Sequence, residues 1–119
     1  MKIILDTNFL VSANKFKVDV FSQLRGNQIF VLDTVIEELK NISKGKSKDS
    51  TAAKVALESI KRKGLKILKS KESETDLSLL NYSKKSYVIA THDKILKNKI
   101  NKIGKKIIVI RQRKYVAFV

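Results

Sequence analysis

The chain has 119 residues, 43% of them hydrophobic, so we expect one domain over residues 1–119. Its apolar runs are too short for a transmembrane helix or a signal peptide. The absence of cysteine and the single histidine, His92, exclude disulfides and multi-histidine zinc sites, so any metal would be held by carboxylates, which favour Mg²⁺ or Mn²⁺. The 26 Lys and Arg residues outnumber the 11 Asp and Glu residues, and the net charge of +15 favours a nucleic acid as partner.

Short apolar runs alternate with helical patterns along the whole chain. The apolar runs predict strands at residues 2–5, 28–32, 65–68, 87–90 and 106–110. The patterns of period 3.6 predict helices at residues 9–16, 18–24, 35–42, 51–62, 75–85 and 94–103. The alternation predicts the α/β class, with right-handed βαβ units and a parallel sheet covered by helices on both faces.

Several connections have their own signals. Helix caps are expected at Thr7 or Asn8, at Asp33 or Thr34, and at Ser73 or Thr75. The polar, lysine-rich residues 43–50 are expected to form an exposed, mobile loop, and Gly64 is expected to end the helix that follows it. Residues 115–119 allow a short additional edge strand.

Four of the acids fall where a parallel sheet would form a site. Asp6 directly follows the first strand and Asp93 follows the fourth, and ligands of such sheets bind at the carboxyl ends of the strands. At about 100° per residue, Glu38 borders the apolar stripe of its helix, whereas Glu37 lies on the opposite side. Asp76 lies at the start of the core-facing stripe of another helix.

Each of these acids, taken singly, also fits a helix cap, a first-turn charge or a boundary salt bridge, and Glu74 is the neighbouring alternative to Asp76. Taken together, crowded carboxylates repel one another unless they are protonated or hold divalent cations. Bound Mg²⁺ or Mn²⁺ would activate a water molecule and neutralise a phosphodiester. An acidic site on a basic surface is therefore the pattern expected of a nuclease.

Four short motifs carry a family resemblance. In chain order they are Ile3-Ile4-Leu5-Asp6-Thr7-Asn8, Val35-Ile36-Glu37-Glu38-Leu39, Thr75-Asp76 and Val88-Ile89-Ala90-Thr91-His92-Asp93. Their order and spacing resemble those of the PIN-domain ribonucleases, over essentially the whole chain. The resemblance implies a three-layer α/β/α sandwich around a central parallel sheet of about five strands. It also implies Mg²⁺- or Mn²⁺-dependent endonucleolytic cleavage of RNA.

The resemblance also assigns roles by position. It makes four acids both catalytic and metal-binding: Asp6, Glu38, Asp76 and Asp93. Asn8 or Thr91 would be the supporting polar residue that orients a carboxylate or a water molecule. The family commonly has asparagine before the last acid, where this chain has His92. For His92 we expect a structural role, with a phosphate contact as the alternative.

Two groups of PIN proteins match this pattern. One is the VapC-type toxins, which pair with an antitoxin, and the other is the ribosomal-RNA-processing proteins of archaea and eukaryotes. Residues 109–115 resemble archaeal proteins related to the second group, so an archaeal source is expected. The expected partners are RNA, an antitoxin or a ribosome-biogenesis protein, and a second copy of the chain, but no membrane. The expected location is cytoplasmic.

A non-catalytic basic RNA-binding module of a ribosome-biogenesis complex is the alternative from a different functional class. The four acids argue against it, because clustered carboxylates would repel RNA in a protein that only binds it.

Cations in three stretches are candidates for binding RNA phosphates. They are Lys44, Lys46, Lys48, Lys94, Lys97, Arg111, Arg113 and Lys114. A surface that only confers solubility is the alternative for each. In the helix after Asp93, the expected inward positions are Ile95, Leu96, Ile100 and Ile103. Lys97 is expected almost opposite them.

Overall fold

Six strands and six helices make up the part of the chain that the computed structural model describes, residues 1–72 and 74–119. The strands are β1 (Lys2–Leu5), β2 (Gln28–Leu32), β3 (Lys66–Leu68), β4 (Tyr87–Ala90), β5 (Ile107–Arg111) and β6 (Tyr115–Phe118). The helices are α1 (Thr7–Lys15), α2 (Val20–Gln23), α3 (Asp33–Ser43), α4 (Lys48–Lys63), α5 (Thr75–Ser83) and α6 (Lys94–Lys102).

The strands form a single sheet in the order β3-β2-β1-β4-β5-β6. The first five are parallel, and β6 joins the edge antiparallel to β5. This mixed sheet, flanked by helices, confirms the predicted α/β class and the allowed edge strand. In the pairing of β1 with β4, Leu5 lies opposite Ala90, so the residues that follow both strands meet at one edge of the sheet.

The central strands are buried on both faces, as the continuous apolar runs predict. Ile3, Ile4 and Leu5 of β1 are fully buried, as are Val31 and Leu32 of β2. Helices α1, α3 and α4 pack against one another, and α5 packs against α6. The residues that end β1 and β4 are therefore held by a well-packed core.

The predicted caps of α1 and α3 are each displaced by one residue or more. Asp6, not Thr7 or Asn8, caps α1, and its Oδ1 accepts a hydrogen bond of 2.8 Å from the Thr7 N–H. Asp33 lies inside the first turn of α3, and the N-cap position belongs to Leu32, whose side chain cannot accept a hydrogen bond. These stretches place good capping residues side by side, so composition alone does not select one of them.

Half of the predicted loop at residues 43–50 is helical. Helix α3 extends to Ser43 and α4 begins at Lys48, so only a tight turn separates them. The Ser47 hydroxyl caps α4 by accepting from the Ser50 N–H at 3.2 Å, and Ser50 is buried. A Cβ at Gly45 would lie 2.6 Å from the Ser50 Oγ, so a side chain there would force the Ser50 hydroxyl to move.

The inward face of α6 is narrower than predicted. Leu96 and Ile100 are buried, but Ile95 is 67% exposed and Ile103 is 41% exposed. Lys97 is half-buried rather than opposite the core. The mean direction of the four apolar side chains around the helix axis lies closer to Ile95 than the observed buried face does, because Ile95 is about 100° away from Leu96.

The other helix boundaries differ by a few residues. Helix α2 is limited to Val20–Gln23, and α5 begins at Thr75 and ends at Ser83. Ser73, the alternative start of α5, lies outside the described residues. Helix α4 ends at Gly64 as predicted. Among the helices described, none has the length and apolarity to cross a membrane.

The Ser47 cap can be tested by substitution. We expect Ser47→Ala to lower the free energy of unfolding by about 1 kcal/mol or somewhat more, because the cap is lost and the buried Ser50 hydroxyl loses its partner at 3.1 Å. Urea denaturation measures the change. The control is Ser43→Ala, which removes only a hydroxyl that donates to the Lys40 carbonyl. A Ser47→Ala variant as stable as Ser43→Ala would contradict the capping role.

Candidate functional site

A cleft of about 360 Å³ opens at the carboxyl edge of the sheet. All four acids singled out in the sequence line it, together with Asn8. The full lining is Asp6, Thr7, Asn8, Val11, Ser12, Lys15, Glu38, Ile42, Asp49, Thr75, Asp76 and Asp93. Four separate segments of the chain supply the acids: the end of β1, α3, α5 and the loop after β4.

Asp6 is the most deeply buried of the four acids, with 5% of its surface exposed. Its Oδ1 accepts from the Thr7 N–H, and its Oδ2 accepts from the Thr91 hydroxyl at 2.7 Å. Burial raises the pKa of Asp6 to about 6, although both hydrogen bonds act in the opposite direction. The negative charges of Asp76 and Glu38 add to the increase.

Thr91 links the ends of the two central strands. It is fully buried, its hydroxyl donates to Asp6, and its Oγ1 accepts from the Asp93 N–H at 3.1 Å. Asn8 supports the same loop, because its Oδ1 accepts from the His92 N–H at 3.0 Å. Of the two residues predicted to be supporting polar groups, Thr91 thus contacts the Asp6 carboxylate and Asn8 holds the loop that follows β4.

His92 is not part of the cleft lining, and its ring packs against other residues of the protein. Its ring stacks on Phe9 with 5.8 Å between centroids, and its Nε2 accepts from the Ile110 N–H at 3.3 Å. Burial lowers the pKa of His92, which favours the neutral ring. These contacts match the structural role expected of this residue.

Two threonine hydroxyls hold Glu38. Thr7 donates to Oε1, and Thr75 donates to Oε2 at 3.0 Å. Glu38 is half-buried and Glu37 is exposed, as helical geometry predicts. The carboxylate thereby connects α3 with the first turns of α1 and α5.

Asp76 and Asp93 are close enough to influence each other. Asp93 caps α6, and its Oδ1 accepts from the N–H groups of Ile95 and Leu96 at 2.9 and 3.2 Å. Asp76 lies in the first turn of α5 and is exposed. The protein nevertheless removes part of the solvent around Asp76, which raises its pKa. The charge of Asp93 and a hydrogen bond between the two side chains raise it further, and Lys99 opposes the change.

The donor set has the chemistry that Mg²⁺ or Mn²⁺ requires. All four acids offer carboxylate oxygens, which these hard cations prefer. Among residues 1–72 and 74–119, however, no three acid or histidine side chains are already arranged to hold a metal ion. Oxygens of Asp6, Glu38 and Asp93 accept hydrogen bonds from hydroxyl and N–H groups. The four acids therefore offer the kind of ligand that such a cation takes, and all four line the same cleft.

Sequence reasoning missed several residues of the cleft. Thr7 and Thr75 hold Glu38, and a lone hydroxyl leaves no periodic signal by which to recognise it. Lys15 and Asp49 form an ion pair of 2.9 Å between the last turn of α1 and the first turn of α4. Nothing in their sequence spacing of more than thirty residues indicates that pair.

The candidate phosphate-binding cations occupy three places. Lys44, Lys46 and Lys48 lie exposed at the turn from α3 to α4. Lys94, Lys97 and Arg111 lie between the start of α6 and the end of β5. Arg113 and Lys114 lie in the turn between β5 and β6, where the Arg113 guanidinium stands 4.6 Å from the centre of the Phe16 ring.

Comparison with known proteins gives the same picture for nearly the whole chain. The model of a family described as "PIN like domain" matches residues 3–113. A protein of Methanocaldococcus jannaschii named Ribonuclease VapC4 is 32% identical over 124 residues, which cover 96% of this chain and 93% of that protein.

Two solved structures share the fold. The PIN domain endonuclease Utp24 superposes with a TM-score of 0.80 and 24% identity, over 98% of this chain and 90% of that one. A domain of a functionally unknown protein from M. jannaschii gives a TM-score of 0.59 and 18% identity, over 87% of this chain and 86% of the other. At these identities the likeness concerns the fold alone.

The high pKa of Asp6 predicts a specific dependence of stability on pH. Between 3.8 and about 6 the folded protein keeps a proton on Asp6 that the unfolded chain has released, so this contribution to stability is lost as pH rises. In metal-free buffer we expect the free energy of unfolding of the wild type, relative to Asp6→Asn, to fall by about 2 kcal/mol over that range and by about 3 kcal/mol in all from about pH 3 to about pH 7. Urea denaturation of both proteins across the range measures it.

Comparison of the two proteins removes the effect of His92, which titrates in both. A difference that does not change with pH would show that the Asp6 pKa is not raised.

Proposed function

The chain belongs to the PIN-like domain family, and from this membership and the cleft we propose that it is a metal-dependent endoribonuclease. One observation carries the proposal: four segments of a chain with a net charge of +15 each bring a carboxylate to one cleft. A strongly basic surface attracts RNA, and the acidic cleft provides the place for the reaction. The name of the 32% identical relative, a ribonuclease, supports RNA as the substrate.

Asp6, Glu38, Asp76 and Asp93 would hold Mg²⁺ or Mn²⁺. When bound, such a cation makes water a better nucleophile and neutralises the charge that develops on the phosphodiester. The reaction is hydrolysis: the water oxygen bonds to phosphorus, the bond from phosphorus to one ribose oxygen breaks, and that oxygen takes up a proton.

Neighbouring residues fix the orientation of two of the carboxylates by hydrogen bonds. Thr91 and the Thr7 N–H hold Asp6 in one orientation, and the hydroxyls of Thr7 and Thr75 do the same for Glu38. Burial raises the pKa of Asp6 to about 6, and the pKa of Asp76 is raised as well, so ionised carboxylates are costly in this cleft. A divalent cation held by these acids would lower that cost.

We further propose that the protein acts in the cytoplasm and that its cations at the three places described bind RNA phosphates. The relationship to Ribonuclease VapC4 supports a toxin role with a protein antitoxin as partner, and ribosomal-RNA processing is the alternative. The neighbouring gene distinguishes them, since a small adjacent reading frame whose product binds this protein and blocks cleavage would support the toxin role.

Substitution of the acids tests the activity. We expect Asp6→Asn and Asp93→Asn each to lower the rate of RNA cleavage in Mn²⁺ by about 100-fold or more, because even partners of metal ligands commonly contribute 10- to 100-fold. RNA binding should be equal or tighter, since a negative charge has been removed. Gel analysis of labelled structured and single-stranded RNA measures cleavage, and EDTA should abolish it in the wild type.

The matched control is Glu37→Gln, which removes an equal charge from the exposed side of the helix that carries Glu38. Full activity of Asp6→Asn, or cleavage that persists in EDTA, would remove the carboxylates from the mechanism. Salt-sensitive RNA binding with no cleavage under any condition would instead favour the non-catalytic RNA-binding module.

Metal binding has a test that does not depend on activity. We expect Mn²⁺ to raise the melting temperature of the wild type by several degrees, because a ligand at about 100 times its Kd stabilises the folded state by about 2.7 kcal/mol. Differential scanning calorimetry measures the shift. The shift should be smaller for Asp6→Asn and Asp93→Asn and unchanged for Glu37→Gln. Equal shifts in all four proteins would place the bound metal outside the cleft.

A further inference from the structure

A second, smaller recess lies beside the cleft, between the start of α6 and the end of β5. Its volume is about 240 Å³, and Asp93 belongs to the lining of both. The recess is lined by Lys94, Lys97 and Arg111, together with apolar side chains of β5. Three cations therefore line a recess that shares Asp93 with the cleft.

None of the three cations that line the recess forms an ion pair. Lys94 and Lys97 lie three residues apart on one face of α6, and Arg111 ends β5. The ion pairs formed within the described ranges are Lys15 with Asp49 and Lys40 with Glu37. Like charges that line one recess repel one another, and an anion bound among them would reduce that cost.

The side chains, rather than the helix backbone, would bind such an anion. The N–H groups of Ile95 and Leu96 already donate to Asp93, so the start of α6 is occupied by a residue of its own chain. A guanidinium binds phosphate through two parallel hydrogen bonds, and lysine ammonium groups add point charges. The donor set matches a phosphate group.

We propose that this recess binds the phosphate of an RNA nucleotide next to the one cleaved, and so sets the register of the strand across the cleft. The inference rests on the proposed function for the identity of the strand. The shared Asp93 supports it, because a strand that leaves the cleft past this residue enters the recess directly. Lys94, Lys97 and Arg111 are thus substrate-positioning residues.

RNA binding in EDTA tests the recess without any need for cleavage. Fluorescence anisotropy with a labelled single-stranded oligouridylate is measured over a series of salt concentrations for the wild type and for Lys94→Gln/Lys97→Gln/Arg111→Gln. If each cation neutralises one phosphate, the slope of log K against log salt should decrease in magnitude by about 2, since each contact on a single strand contributes about 0.7. The affinity near 0.1 M salt should then fall by about 10- to 100-fold.

The matched control is Lys84→Gln/Lys102→Gln/Lys106→Gln, which removes the same charge from exposed residues before β4, at the end of α6 and before β5. These residues lie at the opposite edge of the sheet, and the control should keep nearly the full slope. Melting temperatures of both triple variants verify that they are folded. In Mn²⁺ we expect the triple variant of the recess cations to have a higher KM than the wild type and a kcat close to it. This protein is called the recess variant below.

The outcomes separate this inference from the proposed function. Equal loss of binding in both triple variants, with cleavage intact in the wild type, would overturn the recess alone. A wild type that never cleaves RNA, but binds it more tightly than the recess variant does, would overturn the nuclease and keep the recess. Unchanged RNA binding by the recess variant, with weaker binding of inorganic phosphate or of polyglutamate, would show a site for free anions or acidic proteins and refute the proposal.

Discussion

The ionisable side chain of Asp6, buried at the carboxyl edge of a parallel sheet, is the constraint on which much of the surrounding structure depends. An isolated carboxylate in that place would be very costly, and the protein reduces the cost with the Thr91 hydroxyl and the Thr7 N–H. The Thr91 hydroxyl reaches Asp6 because β1 pairs with β4 in the register that sets Leu5 opposite Ala90. The core of the sheet and the geometry of the site are therefore parts of the same arrangement.

The three other acids are stabilised by different neighbours. Glu38 is held by hydroxyl groups, Asp93 by the N–H groups at the start of α6, and Asp76 remains partly in solvent near Lys99. These contacts stabilise each carboxylate locally, but repulsion between Asp76 and Asp93 persists, since the charge of Asp93 raises the pKa of Asp76. A divalent cation would offset this repulsion, because both carboxylates would be attracted to the common ion.

Patterns that extend over many residues allowed much of the fold and the placement of the acids to be predicted, whereas single side-chain contacts did not. The apolar runs locate β1 and β4, and helical geometry correctly separates half-buried Glu38 from exposed Glu37. The exposure of Ile95 escaped prediction, because burial depends on which residues of α6 meet β5 rather than on hydropathy. The helical turn at Ser47 escaped it as well, since its signal is a single hydroxyl group in a polar stretch.

The lining of the cleft indicates where the selection of a particular RNA sequence would have to arise. It consists of carboxylates, hydroxyls, an amide, one lysine and two aliphatic side chains, and it contains no aromatic ring among the described residues. Single-stranded RNA is usually read by stacking its bases on aromatic or guanidinium planes. Under the proposed function, bases of a bound strand would therefore stack on surfaces outside the cleft, where the guanidinium groups of Arg111 and Arg113 lie.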